Sequence, residues 1–316
     1  NRVENCDVRK VQYGIISQGA SVANKDLGVV ITKNALNNTG TNSIGRGGIV
    51  ASFADGLQVT DNSIGGIVFT GTGDVLGISL GGLIGWTNTT TPASFVGSEV
   101  TNAIVTGNKI NTVQQTATYS ATGIVVAQAT TGTNRIANNF ISNVVANGTV
   151  GDFGSGIFLM DSGTDSTTQI YFNSISMTGT LTGGAENQYA LAVNGIDPLL
   201  DIRDNILLNT QGTGTANNSY AIGLGYATFV NLTSDYNDLF VTTTGNFKVG
   251  RTGSLALTGG TDYVTLANWR TATGKDLASV SANPQFVSTT DLHIASPGYS
   301  PVENVGTPLA AGDPAV

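Results

Sequence analysis

Four side chains with chemical potential recur about a coil-length apart: Tyr171, Asp201 with Arg203, and Asp235. Brought side by side, an aromatic ring, a guanidinium and two carboxylates form either a reactive cluster or a plain Arg203–Asp235 ion pair. On a solvated face such a pair contributes about 0–1 kcal/mol, and the ion pair is the reading we prefer. A second acidic group, Asp152, Asp161 and Asp165, flanks the apolar run "GIFLM". Its spacing fits no EF-hand calcium loop, so these are expected as solvated loop carboxylates, with Asp161 and Asp165 only weak metal candidates. Tyr189 and Tyr220, together with Tyr171, are the candidate ligand-binding rings, either stacked as a sugar platform or packed along the fold with the hydroxyl reaching water. Cys6 and His293 are each the sole residue of their kind. One cysteine makes no disulfide framework or thiolate zinc site, and one histidine makes no histidine cluster. Cys6 is expected as a small buried hydrophobe, and His293 as a solvent-facing residue of the tail.

What could place those groups together is visible in composition and spacing. The protein has 316 residues, 42 of them glycine, only 11% charged and 40% hydrophobic. A disordered sequence would be poorer in Val, Ile and Leu and richer in charge. Many short β-branched runs, punctuated by Gly and Asn, point to an all-β fold. A net charge of −8 lacks the phosphate-neutralising cations of a nucleic-acid binder. The longest apolar candidate, "DVLGISLGGLIGW", is too short and glycine-broken to span a bilayer, so no membrane insertion is expected.

The template apolar-x-x-Asn-x-apolar returns with Asn34, Asn62, Asn108, Asn139, Asn173, Asn205 and Asn237 in its slot, and with Cys6 in the same slot of an earlier copy. Successive spacings are 28, 28, 46, 31, 34, 32 and 32 residues. A second motif follows in "YGII", "GGIV", "TGIV", "SGIF", "YALA" and "YAIG", beginning at residues 13, 47, 122, 155, 189 and 220. A period near 30 made of short strands fits one coil of a parallel solenoid better than a four-stranded propeller blade. Coils must stack to bury their apolar residues. The slot asparagine then has two expected roles: to take the left-handed backbone of a sharp corner, and to link coils through its amide in a ladder. The 46-residue step is expected to hold an insertion at about 66–100, either an extra coil or a protruding apolar loop carrying Trp86 and Phe95; the loop is preferred.

The repeat resembles the right-handed parallel β-helix proteins of the pectate-lyase-like superfamily, of the secreted or surface type. The likeness continues through the tail, "TDYVTLANWRTATGKD", "NPQF", "DLHI" and a Ser-Pro. It implies a single-stranded right-handed β-helix over 1–245, then a last coil, a short capping helix carrying Trp269, and a tail over 246–316. In the lyases of that superfamily, carboxylates hold Ca²⁺ against a uronate and a basic residue takes the proton. Carried here, those roles fall to Asp201, Asp235 and Arg203, and Ca²⁺ would be the cofactor. The Asp-Asp, His-Gly and Arg-Ile-Lys signatures of the β-helix polygalacturonases are absent. The expectation is therefore a non-catalytic extracellular or cell-surface protein: a rigid stalk, an adhesin segment or a fibre subunit, pairing with itself through coil ends. A polysaccharide lyase or hydrolase, or a glycan-binding module, is the alternative.

Overall fold

Each copy of the asparagine template turns one short strand into the next, and the strands of successive copies pair in parallel. The computed structural model describes residues 1–81, 99–127, 131–149, 151–161, 166–212, 218–242, 245–296 and 298–309. It is an all-β parallel solenoid of about 7 turns, with one short α-helix among the described residues. The first sheet has eight strands, those before the slot, from Arg2–Glu4 to Leu232–Asp235. The second has seven, those after it, from Ala35–Leu36 to Asp238–Val241. The third has nine: seven carry the second motif, from Tyr13–Gln18 to Ser219–Leu224, Phe247–Thr252 continues the parallel stack, and Thr261–Tyr263 pairs antiparallel to it.

The alternation that strands impose on side chains sends three apolar rows inward. Ile31, Val59, Val105, Ile136, Ile170 and Ile202 come from the first sheet, and Leu36, Ile64, Ile110, Ile141, Ile175 and Leu207 from the second. Ile49, Ile78, Ile124, Ile157, Leu191 and Ile222 come from the third. The glycine of the second motif has a packing reason. A Cβ on Gly48 would sit 2.5 Å from the Ile64 side chain, and one on Gly123 would sit 2.6 Å from that of Ile141. Isoleucine of the second sheet fills the space glycine leaves.

The slot asparagines form one continuous row. Asn34 Nδ2 donates to Asn62 Oδ1 at 2.9 Å, and the same bond repeats from Asn62 to Asn108, Asn108 to Asn139, Asn139 to Asn173, Asn173 to Asn205 and Asn205 to Asn237. Each slot backbone N–H also donates to the next Oδ1, from Cys6 to Asn205. The second amide hydrogen goes back to a carbonyl of the preceding coil, as from Asn139 to Val105 and from Asn173 to Ile136. Every polar atom of these buried amides is thus satisfied, as burial requires.

Two local expectations are corrected. The left-handed residue is the one before the slot, not the slot asparagine. Asn5, Lys33, Asp61, Gly107, Asn138, Phe172, Asp204 and Tyr236 all have φ between 53 and 69°. At Asn173, for example, it is Phe172 that turns the corner, with φ 53°, while Asn173 is not among the residues of positive φ. The asparagine keeps ordinary backbone geometry because its side chain must reach along the stack. Cys6 is exposed, not buried. Its N–H meets Asn34, but it lies in the first coil, so no earlier described coil packs against its thiol.

The long step between Asn62 and Asn108 contains regular coil. Val75–Leu80 pairs with the third-sheet strands on both sides of it, and Gln58–Thr60 pairs directly with Ile104–Thr106. No extra coil is interposed, and residues 66–80 belong to the repeat. "LGIS" at 76 is a further copy of the second motif, in register with Gly47 and Thr122. Trp86 and Phe95 lie outside the described residues.

The tail closes the far end. The helix Leu266–Thr273 starts at Thr265, whose side chain accepts the Asn268 N–H, and stops at Gly274 in the left-handed region (φ 68°). Trp269 is fully buried against the solenoid end, where a Cβ on Gly250 would stand 2.2 Å from its ring. Its Nε1 donates to Asp276 Oδ2 at 2.8 Å. Asp276, also fully buried, accepts from Asn237 Nδ2, Ser234 and Ser279. One carboxylate therefore terminates the ladder.

Candidate functional site

The repeat register sets Tyr171 beside Arg203, and Arg203 beside Asp235, as adjacent coils require. The side chains then settle differently from the expectation. Arg203 makes a two-pronged pair with Asp201, Nε to Oδ1 and Nη2 to Oδ2 both at 2.6 Å, and not with Asp235. Asp201 also accepts the Tyr171 hydroxyl at 2.6 Å, and the guanidinium lies 5.2 Å from the Tyr171 ring centre. Asp235 turns instead to backbone, accepting the N–H groups of Tyr236 and Ala278. The Asp201 hydrogen bonds raise the Arg203 pKa further, so that it stays a cation and is no proton acceptor.

The tyrosines expected to face a ligand are buried. Tyr171 packs with Ala137 beneath Leu309, a tail residue, and burial lifts its pKa. Tyr189 and Tyr220 do stack, with ring centres 5.0 Å apart and planes 14° from parallel. Both are fully buried, however, with hydroxyls donating to the Leu255 carbonyl and to Asp262. No ring face is left for a sugar. His293 is exposed in the tail, paired with Asp291 and edge-on to Phe140 at 5.0 Å.

The acidic group around "GIFLM" is also corrected. Asp152 is buried, 6% exposed, and is no loop carboxylate. Asp165 and the Asp161 side chain lie outside the described residues. The true neighbour of Asp152 is Asp74, which the sequence reading did not single out. Asp74 immediately precedes Val75–Leu80, Ser120 immediately precedes Ala121–Val126, and Asp152 lies two residues before Gly154–Asp161. Because those strands are consecutive in the third sheet, their entry turns converge. Ser120 bridges the two acids: its N–H donates to Asp74 Oδ1 and its hydroxyl to Asp152 Oδ1, both at 3.0 Å.

These turns line a cavity of about 170 Å³ on the outer face of the third sheet. Phe153, Phe158, Met160 and residues 253–256 line it, together with the polar Thr122, Ser155 and Asn194. Burial pushes the Asp74 pKa to about 7; the Ser120 N–H opposes that shift and the Asp152 charge adds to it. Burial likewise raises Asp152, opposed by the Ser120 hydroxyl. Shifted acids in a cleft mark a place where a ligand or a proton can be handled.

No family model, no curated protein and no solved structure matches this protein. Among the described residues, no three or more His, Cys, Asp or Glu are grouped to hold a metal ion, and no helix is long and apolar enough to cross a membrane.

Proposed function

We propose that this protein is a rigid, non-catalytic β-solenoid of the pectate-lyase-like kind, secreted or displayed at a cell surface, acting as a stalk or adhesin segment. The observation that carries the reading is the unbroken asparagine ladder, with its buried carboxylate at one end. A rod stiffened along one whole edge suits holding a partner at a distance, with coils about 4.8 Å apart setting its length. The flank that could have been catalytic supports the same reading, since Arg203 and Asp201 satisfy each other and a tail segment covers Tyr171. A filament built by coil-on-coil stacking is disfavoured, because Trp269 and its helix occupy the end a second copy would need.

The test is incubation with acidic polysaccharides and Ca²⁺, following absorbance of an unsaturated product, alongside sedimentation at rising concentration. No product and a constant monomer mass are expected. Turnover that disappears in Arg203→Ala would overturn the non-catalytic reading, and mass growth ending in fibres would restore the filament.

A further inference from the structure

We propose that the cavity between Asp74, Asp152 and residues 253–256 is a binding site for a small organic cation, an amine carried on a compact apolar body. The two carboxyls line the space, joined through Ser120, and no lysine or arginine lines it. Asp74 is 3% exposed, and no residue other than Ser120 among those described hydrogen-bonds to its carboxyl. The half-buried Asn194 amide in the same lining has no hydrogen-bond partner among the described residues. Both keep hydrogen-bonding capacity that a ligand donating hydrogen bonds would use.

The nearest basic group is Arg46, whose charge reaches Asp74. Its guanidinium nevertheless lies 5.4 Å from the Phe69 ring centre and gives its Nε–H to the Asp74 backbone carbonyl. It leaves the carboxyl itself without a salt bridge. The apolar part of the lining, Phe153, Phe158, Met160 and Leu255, asks for an apolar body. About 170 Å³ is room for a single small ring and not for an oligosaccharide. A monoamine such as cyclohexylammonium meets all of these demands, and the pair of carboxylates favours it over its neutral alcohol.

Charge also sets the direction of pH dependence. The groups facing Asp74 are Asp152 and Arg46, and Glu186 lies within electrostatic reach of Asp152. An alkyl amine stays protonated up to pH of about 10, so the titrating partner is the protein, and binding should tighten as pH rises through about 7.

The experiment is calorimetric titration of the whole protein with cyclohexylammonium, cyclohexanol and Ca²⁺ at pH 5 and pH 8. Expected are one saturable site for the amine, at least about tenfold tighter at pH 8 than at pH 5, and at least about tenfold weaker binding of cyclohexanol. Asp74→Asn should weaken the amine by about tenfold or more, and Ala256→Trp, at the rim of the cavity, should abolish binding without moving the melting temperature. Absence of saturable amine binding, equal binding by Asp74→Asn, or displacement of the amine by Ca²⁺ would each overturn the proposal. If Asp74→Asn fails to fold, the rim variant and the alcohol comparison decide the matter alone. The non-catalytic reading of the protein is untouched by either result.

Discussion

The asparagine edge and the outer face of the third sheet belong to the same coils, yet they are built on opposite plans. Along the edge one residue type recurs with one set of bonds, and each coil repeats the solution of the last. On the outer face the aligned positions are Leu76, Thr122, Ser155, Tyr189, Tyr220 and Lys248, and no two neighbours except the tyrosines are alike. The edge satisfies every buried polar atom it carries. The outer face keeps acids whose pKa values burial has raised, and a cavity beside them. Repetition supplies stiffness, and departure from it leaves room for a ligand.

The sharpest way to break this contrast is Asn139→Ala, in mid-ladder. It leaves the Asn108 backbone N–H and one Asn108 amide hydrogen without their acceptor, removes one of the two donors to Asn173 Oδ1 and takes the amide donor from the Val105 carbonyl, so a loss of about 3–5 kcal/mol in urea unfolding is expected. If the loss is under about 1 kcal/mol, the edge is decorative. Asp276→Ala removes the acceptor of Asn237, Trp269, Ser234 and Ser279 together. A loss of about 2–4 kcal/mol is expected, with protease cuts appearing first beyond residue 250.

The pH profile tests the outer face and the tail contact. Asp74 and Asp238 both hold folded pKa values of about 7, mainly through burial, against an ordinary 3.8. Between about pH 4 and 7 the unfolded state therefore binds fewer protons than the folded one, so stability falls as pH rises and levels off above 7. Asp74→Asn and Asp238→Asn should each flatten part of that slope, by up to about 4 kcal/mol apiece, read as melting temperature against pH. The smallest effect belongs to Arg203→Ala. Its pair with Asp201 is partly solvated, so a change of about 1 kcal/mol or less is expected in urea unfolding.

How much of this was legible follows the same division. The coils, the ladder and the capping helix could be read because spacing repeats and the asparagine recurs. The left-handed position was assigned one residue late. Asn5, Asp61, Gly107, Asn138 and Asp204 are of types that favour this backbone, but Lys33, Phe172 and Tyr236 break the pattern, and the asparagine that recurs in every later copy draws the assignment instead. "LGIS" at 76 went unrecognised because the long asparagine step suggested that an insertion began earlier, and with it went the link between Asp74 and Asp152. An aspartate two or three residues before a copy of the second motif, Asp74 before "LGIS" and Asp152 before "SGIF", is the available signal. The burial of Tyr171 could not be seen at all, since Leu309 covers it from far along the sequence. Contacts of that range carry no periodicity.

The ladder has a direction. Every slot Oδ1 faces the coil before it and takes two hydrogen bonds from that coil, so the amide C=O dipoles from Asn34 to Asn237 point the same way. Their positive ends add toward the last coil, much as peptide dipoles add toward a helix N-terminus. The anion of Asp276 stands at that end. The rod is thus electrically polar along its length, and the carboxylate beneath Trp269 serves as its counter-charge.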